Sequence, residues 1–177
     1  MFGGDQLQQL IKTTRKTRLL PDGTGTPVAL GADALERLLP HRHPMLLVDS
    51  IDTVSPESGA VRGSRTLRAD DLGFSGHFPA DPIYPGMLVV EAMGQLGLTL
   101  VHFAGERRID VPADLIPKRV RATRVHHASF LAPFRPGDTM TLQAKAVELG
   151  MTMVAACQAW KGQDLCAFAI AEVYIDE

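Results

Sequence analysis

Residues 76–95, GHFPADPIYPGMLVVEAMGQ, bring a histidine, a carboxylate and a proline-glycine pair into one short stretch. His77 sits in a loop held by Gly76, Pro79 and Pro82, and an apolar run containing Glu91 follows. A neutral imidazole titrates near neutrality and is the usual general base. A carboxyl group in apolar surroundings keeps its proton and can donate it. Pro85 suits the first turn of a helix, where its missing N–H costs nothing. Gly86 then leaves backbone N–H groups unshielded at the positive end of the helix dipole, suited to a carbonyl oxygen gaining negative charge. Base, acid and oxyanion donors are the parts needed to remove a proton α to a carbonyl and expel a β-hydroxyl. Glu91 is five residues past Gly86, which is about 7.5 Å along a helix axis at 1.5 Å per residue.

The same residues also admit a plain structural reading. A loop histidine can be a satisfied surface group, and a glutamate in an apolar helix can reach solvent at a groove. Gln95 and His102 lie four and eleven residues beyond Glu91, so helical spacing puts all three on one face. That polar seam predicts a ligand-facing groove. Gln95 taken singly could equally satisfy a buried backbone group.

The elements that must position these groups come from the rest of the chain. Its 177 residues suit one domain, and 45% hydrophobic content supplies a core without bulk disorder. A formal net charge of −2 argues for neither nucleic acid nor a membrane surface. The two cysteines, Cys157 and Cys166, form no disulfide framework and read as small core residues, which fits a reducing, cytoplasmic setting. The first thirty residues lack a secretory apolar segment. The stretch from Met87 to Ala104 sits at the lower limit for a membrane span, and Glu91, Gln95 and His102 within it favour a buried core helix.

Residues 1–32, with Lys12, Arg15, Lys16 and Arg18, read as an N-terminal arm, flexible in part and ending in the turn PDGTGTP. The single domain is expected over 33–177. A short helix at GADALERLL, N-capped by Asp33, precedes strands in PMLLVDSIDTV and GAVRGSRTLRAD. The long apolar helix is expected from about Pro85 to Ala104. Four strands follow, at Lys118–Phe130, Thr139–Glu148, Met151–Trp160 and Leu165–Ile175, with turns at Pro136-Gly137-Asp138 and Gly162. This order predicts an α+β domain: an antiparallel sheet curved around a helix that is apolar nearly all round.

Other candidate clusters carry less. His41-x-His43 could be half of a metal site, but no nearby ligand set completes it and the flanking prolines account for the segment. His126 and His127 are strand neighbours pointing to opposite faces.

Three segments resemble the 3-hydroxyacyl-[acyl-carrier-protein] dehydratases. They are LLPHRHPMLLVDSI at 38–51, GHFPADPIYPGMLVVEAMGQL at 76–96 and FLAPFRPGDTMTL at 130–142. The resemblance covers about residues 33–175 and implies a hot-dog fold paired as a dimer. It further implies active sites at the dimer interface, with the histidine of one subunit facing the acid of the other. By position His77 is the histidine, Glu91 the acid and Gly86 the amide that polarises the thioester carbonyl. Phe78, Tyr84, Pro85, Met87 and Gln95 are the expected substrate-binding residues, and Met93 with Tyr84 and Met87 is a candidate for shaping the acyl tunnel. Glu91 in place of Asp resembles the branch that does not isomerise its product, whereas Ala80-Asp81-Pro82 resembles the isomerising one.

The implied reaction is loss of water from a (3R)-hydroxyacyl thioester, giving the trans-2-enoyl thioester, with no metal or organic cofactor. The implied partners are an acyl carrier protein and a second copy of the chain, as a homodimer or a trimer of dimers. Carrier proteins are acidic, and Lys118, Arg119, Arg121 and Arg124 form the candidate docking patch, Arg119 and Arg121 on one strand face and Lys118 and Arg124 on the other. The rival readings are a hot-dog thioesterase, an enoyl-coenzyme A hydratase and a non-catalytic carrier-protein binder. The resemblance implies fatty acid synthesis, and the N-terminal arm beyond the family core raises polyketide or polyene synthesis as a specialised pathway.

Overall fold

A computed structural model describes residues 4–176. In chain order the elements are α1 (Gly4–Lys16), β1 (Thr26–Leu30), α2 (Ala32–Leu38), β2 (Ser50–Ser55), β3 (Ala60–Thr66), α3 (Gly86–Leu98), α4 (Leu100–Phe103), β4 (Arg119–Phe130), β5 (Thr139–Leu149), β6 (Thr152–Lys161) and β7 (Asp164–Asp176). The strands form one antiparallel sheet in the order β1-β2-β3-β5-β6-β7-β4, so β4 is an edge although it follows the helix in sequence.

Helix α3 packs on β3, β5, β6 and β7. Alternation puts small residues on the sheet face it meets: Ala144 of β5, Ala155, Cys157 and Ala159 of β6, and Ala167 and Ala169 of β7, all in one core cluster with Val89, Ala92, Met93 and Leu96. These short side chains let the helix axis come close. A Cβ on Gly97 would lie 3.7 Å from Ala155 Cβ, in ordinary contact. Burial on this scale, about 1.5–3 kcal/mol for each fully buried Leu, Val or Met, explains why a helix with so few charges stays in the fold. The span Gly86–Phe103 is long and apolar enough to cross a membrane by composition, and two thirds of it is buried inside this domain.

The helix differs from the expected continuous Pro85–Ala104 in two ways. Pro85 is the N-cap rather than a helical residue. A break falls at Thr99, whose hydroxyl donates to the Leu96 carbonyl at 2.7 Å and competes with the backbone ladder.

The segment expected as an arm is folded onto the sheet. Leu7, Leu10, Ile11 and Thr14 recur at helical spacing on the sheltered side of α1. This helix lies against β6 and β7, on the face away from α3. Leu20, Val154, Trp160, Phe168 and Ile170 are buried there. Two buried glutamines bind the connecting chain. Gln143 accepts from Leu20 N–H at 3.0 Å and returns a bond to its carbonyl. Gln158 accepts from Leu19 N–H and donates to the carbonyls of Thr14 and Thr17. Arg18 covers the Trp160 ring at 4.1 Å. Past this clamp, Thr26–Leu30 forms the other edge strand, where only a turn and linker were expected.

Candidate active site

The loop that carries His77 is tied down at both ends. Arg65 bonds Asp49 at 2.8 Å and Asp71 at 2.6 Å, anchoring its start. Gly73, at φ 101°, turns tightly under Pro85, and any Cβ there would meet the proline ring at 2.7 Å. At the far end Tyr84 N–H donates to the Phe134 carbonyl at 2.8 Å. Asp81 pairs with Arg135, whose hydrogen bond holds the Asp81 carboxyl below its ordinary range. Phe134 and Arg135 belong to the Pro-Gly-Asp turn, in which Asp138 accepts from Arg135 N–H at 2.8 Å and Gly137 has φ 89°. That turn therefore supports the histidine loop. Asp81, in the tripeptide that resembles the isomerising branch, has a structural partner.

His77 is half-buried, and its Nδ1 lies 3.0 Å from the Ile83 carbonyl. A carbonyl only accepts, so in the neutral ring Nδ1 carries the proton and Nε2 keeps a free lone pair. This is the form a general base needs. His77 shares a cleft of about 450 Å³ with Tyr84, Gly86, Met87, Phe130 and Phe134, among others. Gly86 is the first residue of α3, where an N–H has no intrahelical acceptor. A Cβ on Gly86 would stand 2.8 Å from the Phe130 ring, so the absence of a side chain is what keeps this amide open beside the phenyl group.

Glu91 lines a different cavity. This one, about 200 Å³, lies between α3 and the β4–β7 edge and includes His41, Gln95, Val120 and Val125. The carboxylate side chain is 39% exposed, so one chain alone does not provide the apolar enclosure expected around it. Gln95 Nε2 donates to Glu91 Oε1 at 2.8 Å and to the Met45 carbonyl at 2.7 Å, while its Oε1 accepts from Leu47 N–H at 2.8 Å. Gln95 thus lies beside the acid, but its amide is spent on protein groups. The expected three-residue seam is also divided. Beyond the break at Thr99, His102 Nε2 lies 2.8 Å from the Asp110 carbonyl, and the ring lines a separate small cavity with Arg37 and Glu106.

The remaining predicted residues divide similarly. Tyr84 and Met87 line the His77 cleft, with Met87 exposed at its mouth. Tyr84 is buried against Phe74, and burial pushes its phenol above the ordinary value. Phe78 is exposed and stacks on the His77 ring at 4.2 Å without lining either cavity. Pro85 caps the helix, and Met93 is wholly within the core rather than in a tunnel.

Strand β4 also departs from simple alternation. Register shifts fall between Ala122 and Arg124 and between Val125 and His127. Arg119, Arg121 and Arg124 consequently stand opposite Asp176, Tyr174 and Glu172, alternate residues of β7, and share one sheet face. Arg124 was expected on the other side, and the extra residue, Thr123, reverses it. Lys118 is exposed just before the strand. Arg121 reaches Asp176 at 3.2 Å, and His126 Nε2 is 2.9 Å from Glu172. Hydrogen bonds from Thr123 and His126 hold the Glu172 carboxyl below its ordinary range. Among the described residues no group of three or more His, Cys, Asp or Glu is placed to hold a metal ion.

A FabA-like domain model matches residues 39–169. The chain belongs to the FabA-like family. Its match to the FabA-like model spans His77, Gly86, Glu91 and the Pro-Gly-Asp turn. The chain is similar to the 3-hydroxyacyl-[acyl-carrier-protein] dehydratase FabZ of Protochlamydia amoebophila, 36% identical over 121 residues, which cover 68% of this chain and 73% of that protein. FabZ of Syntrophotalea carbinolica is 39% identical over 108 residues, 60% of this chain and 67% of that one. Among solved structures, a chain of the dehydratase heterocomplex ApeI:P from Xenorhabdus doucetiae aligns with TM-score 0.61 at 17% identity, covering 87% of this chain and 93% of that one. At that identity the likeness concerns the hot-dog fold alone.

The structure also supplies contacts that sequence spacing could not. The Ile83 carbonyl that orients His77, the Asp81–Arg135 tie and the approach of His41 to Glu91 are all of this kind. Only the last had a visible sign, the His41-x-His43 segment between two prolines.

Proposed function

We propose that the protein dehydrates (3R)-hydroxyacyl thioesters carried by an acyl carrier protein, giving trans-2-enoyl thioesters for fatty acid or related synthesis. The observation that carries this reading is the division of the catalytic set. His77 and the Gly86 amide share one cleft, while Glu91 lines another. One chain then holds two complementary half-sites, and a homodimer joins each His77 to the Glu91 of the partner chain. The exposed apolar residues Met87, Val125, Phe130 and Leu131 lie along the same margin and suit burial by a second copy.

In the reaction His77 Nε2 takes the C2 proton of the substrate. The electrons left on C2 delocalise onto the thioester oxygen, which the Gly86 N–H stabilises. The C2–C3 double bond forms as the C3–O bond breaks, and the Glu91 carboxyl protonates the departing hydroxyl, which leaves as water. Each acid–base role is worth about 10²–10⁴ in rate. The chemistry calls for no metal or organic cofactor, since both protons move between side chains and substrate. Product remains the trans-2-enoyl thioester, without isomerisation, because Glu91 stands where the isomerising branch resembled by Asp81 has Asp. Lys118 and the three aligned arginines of β4 form the docking face for the acidic carrier protein. Substrate on a carrier arm and two unpaired, buried cysteines suit the cytoplasm.

Incubation with 3-hydroxyacyl-carrier protein, followed by mass spectrometry of the acyl group, tests this. Loss of one water is expected from the wild type and not from His77→Ala. Loss of the whole acyl group, or wild-type turnover in His77→Ala, contradicts it.

A further inference from the structure

The segment His41-Arg42-His43 between Pro40 and Pro44 has no part in the reaction as derived, yet one of its histidines is beside the acid. His41 Nε2 stands 3.4 Å from Glu91 Oε1, and the ring is three quarters buried. Its Nδ1 is fully buried and has no hydrogen-bond partner among the described residues. A proton on Nδ1 would be a buried donor without an acceptor, which is costly. A bare Nε2 would turn its lone pair on the lone pairs of a carboxylate. Both ends of the ring therefore select the tautomer with the proton on Nε2, the nitrogen 3.4 Å from Oε1.

Glu91 Oε1 already accepts from Gln95 Nε2 at 2.8 Å. We infer that His41 is a positioning residue for the acid. With Gln95 it offers Oε1 two donors, which leaves Oε2 as the oxygen to carry the transferable proton. The same two residues anchor the acid to one piece of chain, because Gln95 also binds Met45 and Leu47, just past the histidine segment. The contact to His41, at 3.4 Å, is longer than the 2.8 Å bond from Gln95, and catalytic hydrogen bonds of this kind tighten in the complex with substrate. This role rests on the dehydratase reading for its kinetic consequence, but not for the ring tautomer.

Two measurements test it. Nitrogen-15 NMR of the ring-labelled intact protein, in the neutral form of the histidine, should show His41 protonated on Nε2. Protonation on Nδ1 overturns the inference, whatever substrate the enzyme takes. In dehydration assays, His41→Ala should lower kcat by about 10- to 100-fold, the usual scale for one hydrogen bond to a charged group, here the carboxylate that develops as Glu91 gives up its proton, with KM unchanged within about twofold. His41→Gln, which can present an N–H near the Nε2 position, should recover most of that loss. Wild-type kcat in His41→Ala, a change confined to KM, or a soluble His41→Gln with kcat below a tenth of wild type would each overturn it. Absence of dehydration by the wild type would instead count against the proposed reaction, and the NMR result would still judge His41.

Discussion

His77 and Gly86, the proposed base and oxyanion donor, show how neighbours prepare a group for chemistry. The Ile83 carbonyl fixes Nδ1 of the imidazole as donor, which leaves Nε2 as the atom for the proposed base. The Gly86 amide is usable because nothing stands between it and the cleft. A methyl group there would meet the Phe130 ring at 2.8 Å and displace it within the cleft the two residues share. We expect Gly86→Ala to lower kcat/KM by about tenfold or more through misplacement of the acyl thioester, with little change in melting temperature. Steady-state kinetics check this, and Phe130→Ala in the same chain should return part of the loss. No recovery would mean that the methyl group harms the amide itself rather than the passage beside it. At this scale the types and spacing of the proposed catalytic groups come from the sequence. Their orientation does not, because a carbonyl acceptor is the same group in every residue and leaves no mark in the side-chain pattern.

Strand and helix boundaries were legible where hydrophobic periodicity was strong and turns were marked by glycine and proline. The last four strands fall within a residue or so of expectation for this reason. The misses have particular physical causes. Thr99 breaks the long helix through a side-chain hydrogen bond that composition conceals. The extra residue in β4 reverses the side of Arg124, and strict alternation has no means of announcing a bulge. Helix α1 has only three apolar residues, Leu7, Leu10 and Ile11, with Thr14 on its sheltered side, and Gln143 and Gln158 bind the chain that follows it. Gln158 is fully buried and bonded to Thr14, Thr17 and Leu19, so replacing it strands backbone groups without partners. Gln158→Leu should destabilise the protein by about 2 kcal/mol or more. Chemical denaturation measures this, and the rate of dehydration by the folded fraction should be unchanged. An equal loss of kcat would show that α1 and its clamp reach the active site.

At the scale of the whole molecule, the two faces of the sheet divide the labour. One face carries α3 and presents both cavities at its margins. The other is covered by residues 4–20, which the sequence pattern alone suggested were peripheral. Fold does not decide the reaction, and the proposed dehydration rests on the set His77, Gly86 and Glu91. Its members do not assemble within one chain, and the pairing of chains is the claim on which the mechanism turns. Co-expression of His77→Ala and Glu91→Gln subunits tests that claim most directly. Each variant alone should be inactive, but a hybrid dimer joins the intact His77 of one subunit to the intact Glu91 of the other at one of its two sites. Random pairing makes half of the dimers hybrid, so about a quarter of wild-type dehydration should return. Restoration near that level is the predicted result. Hybrids as inactive as their parents would show that base and acid act within a single chain.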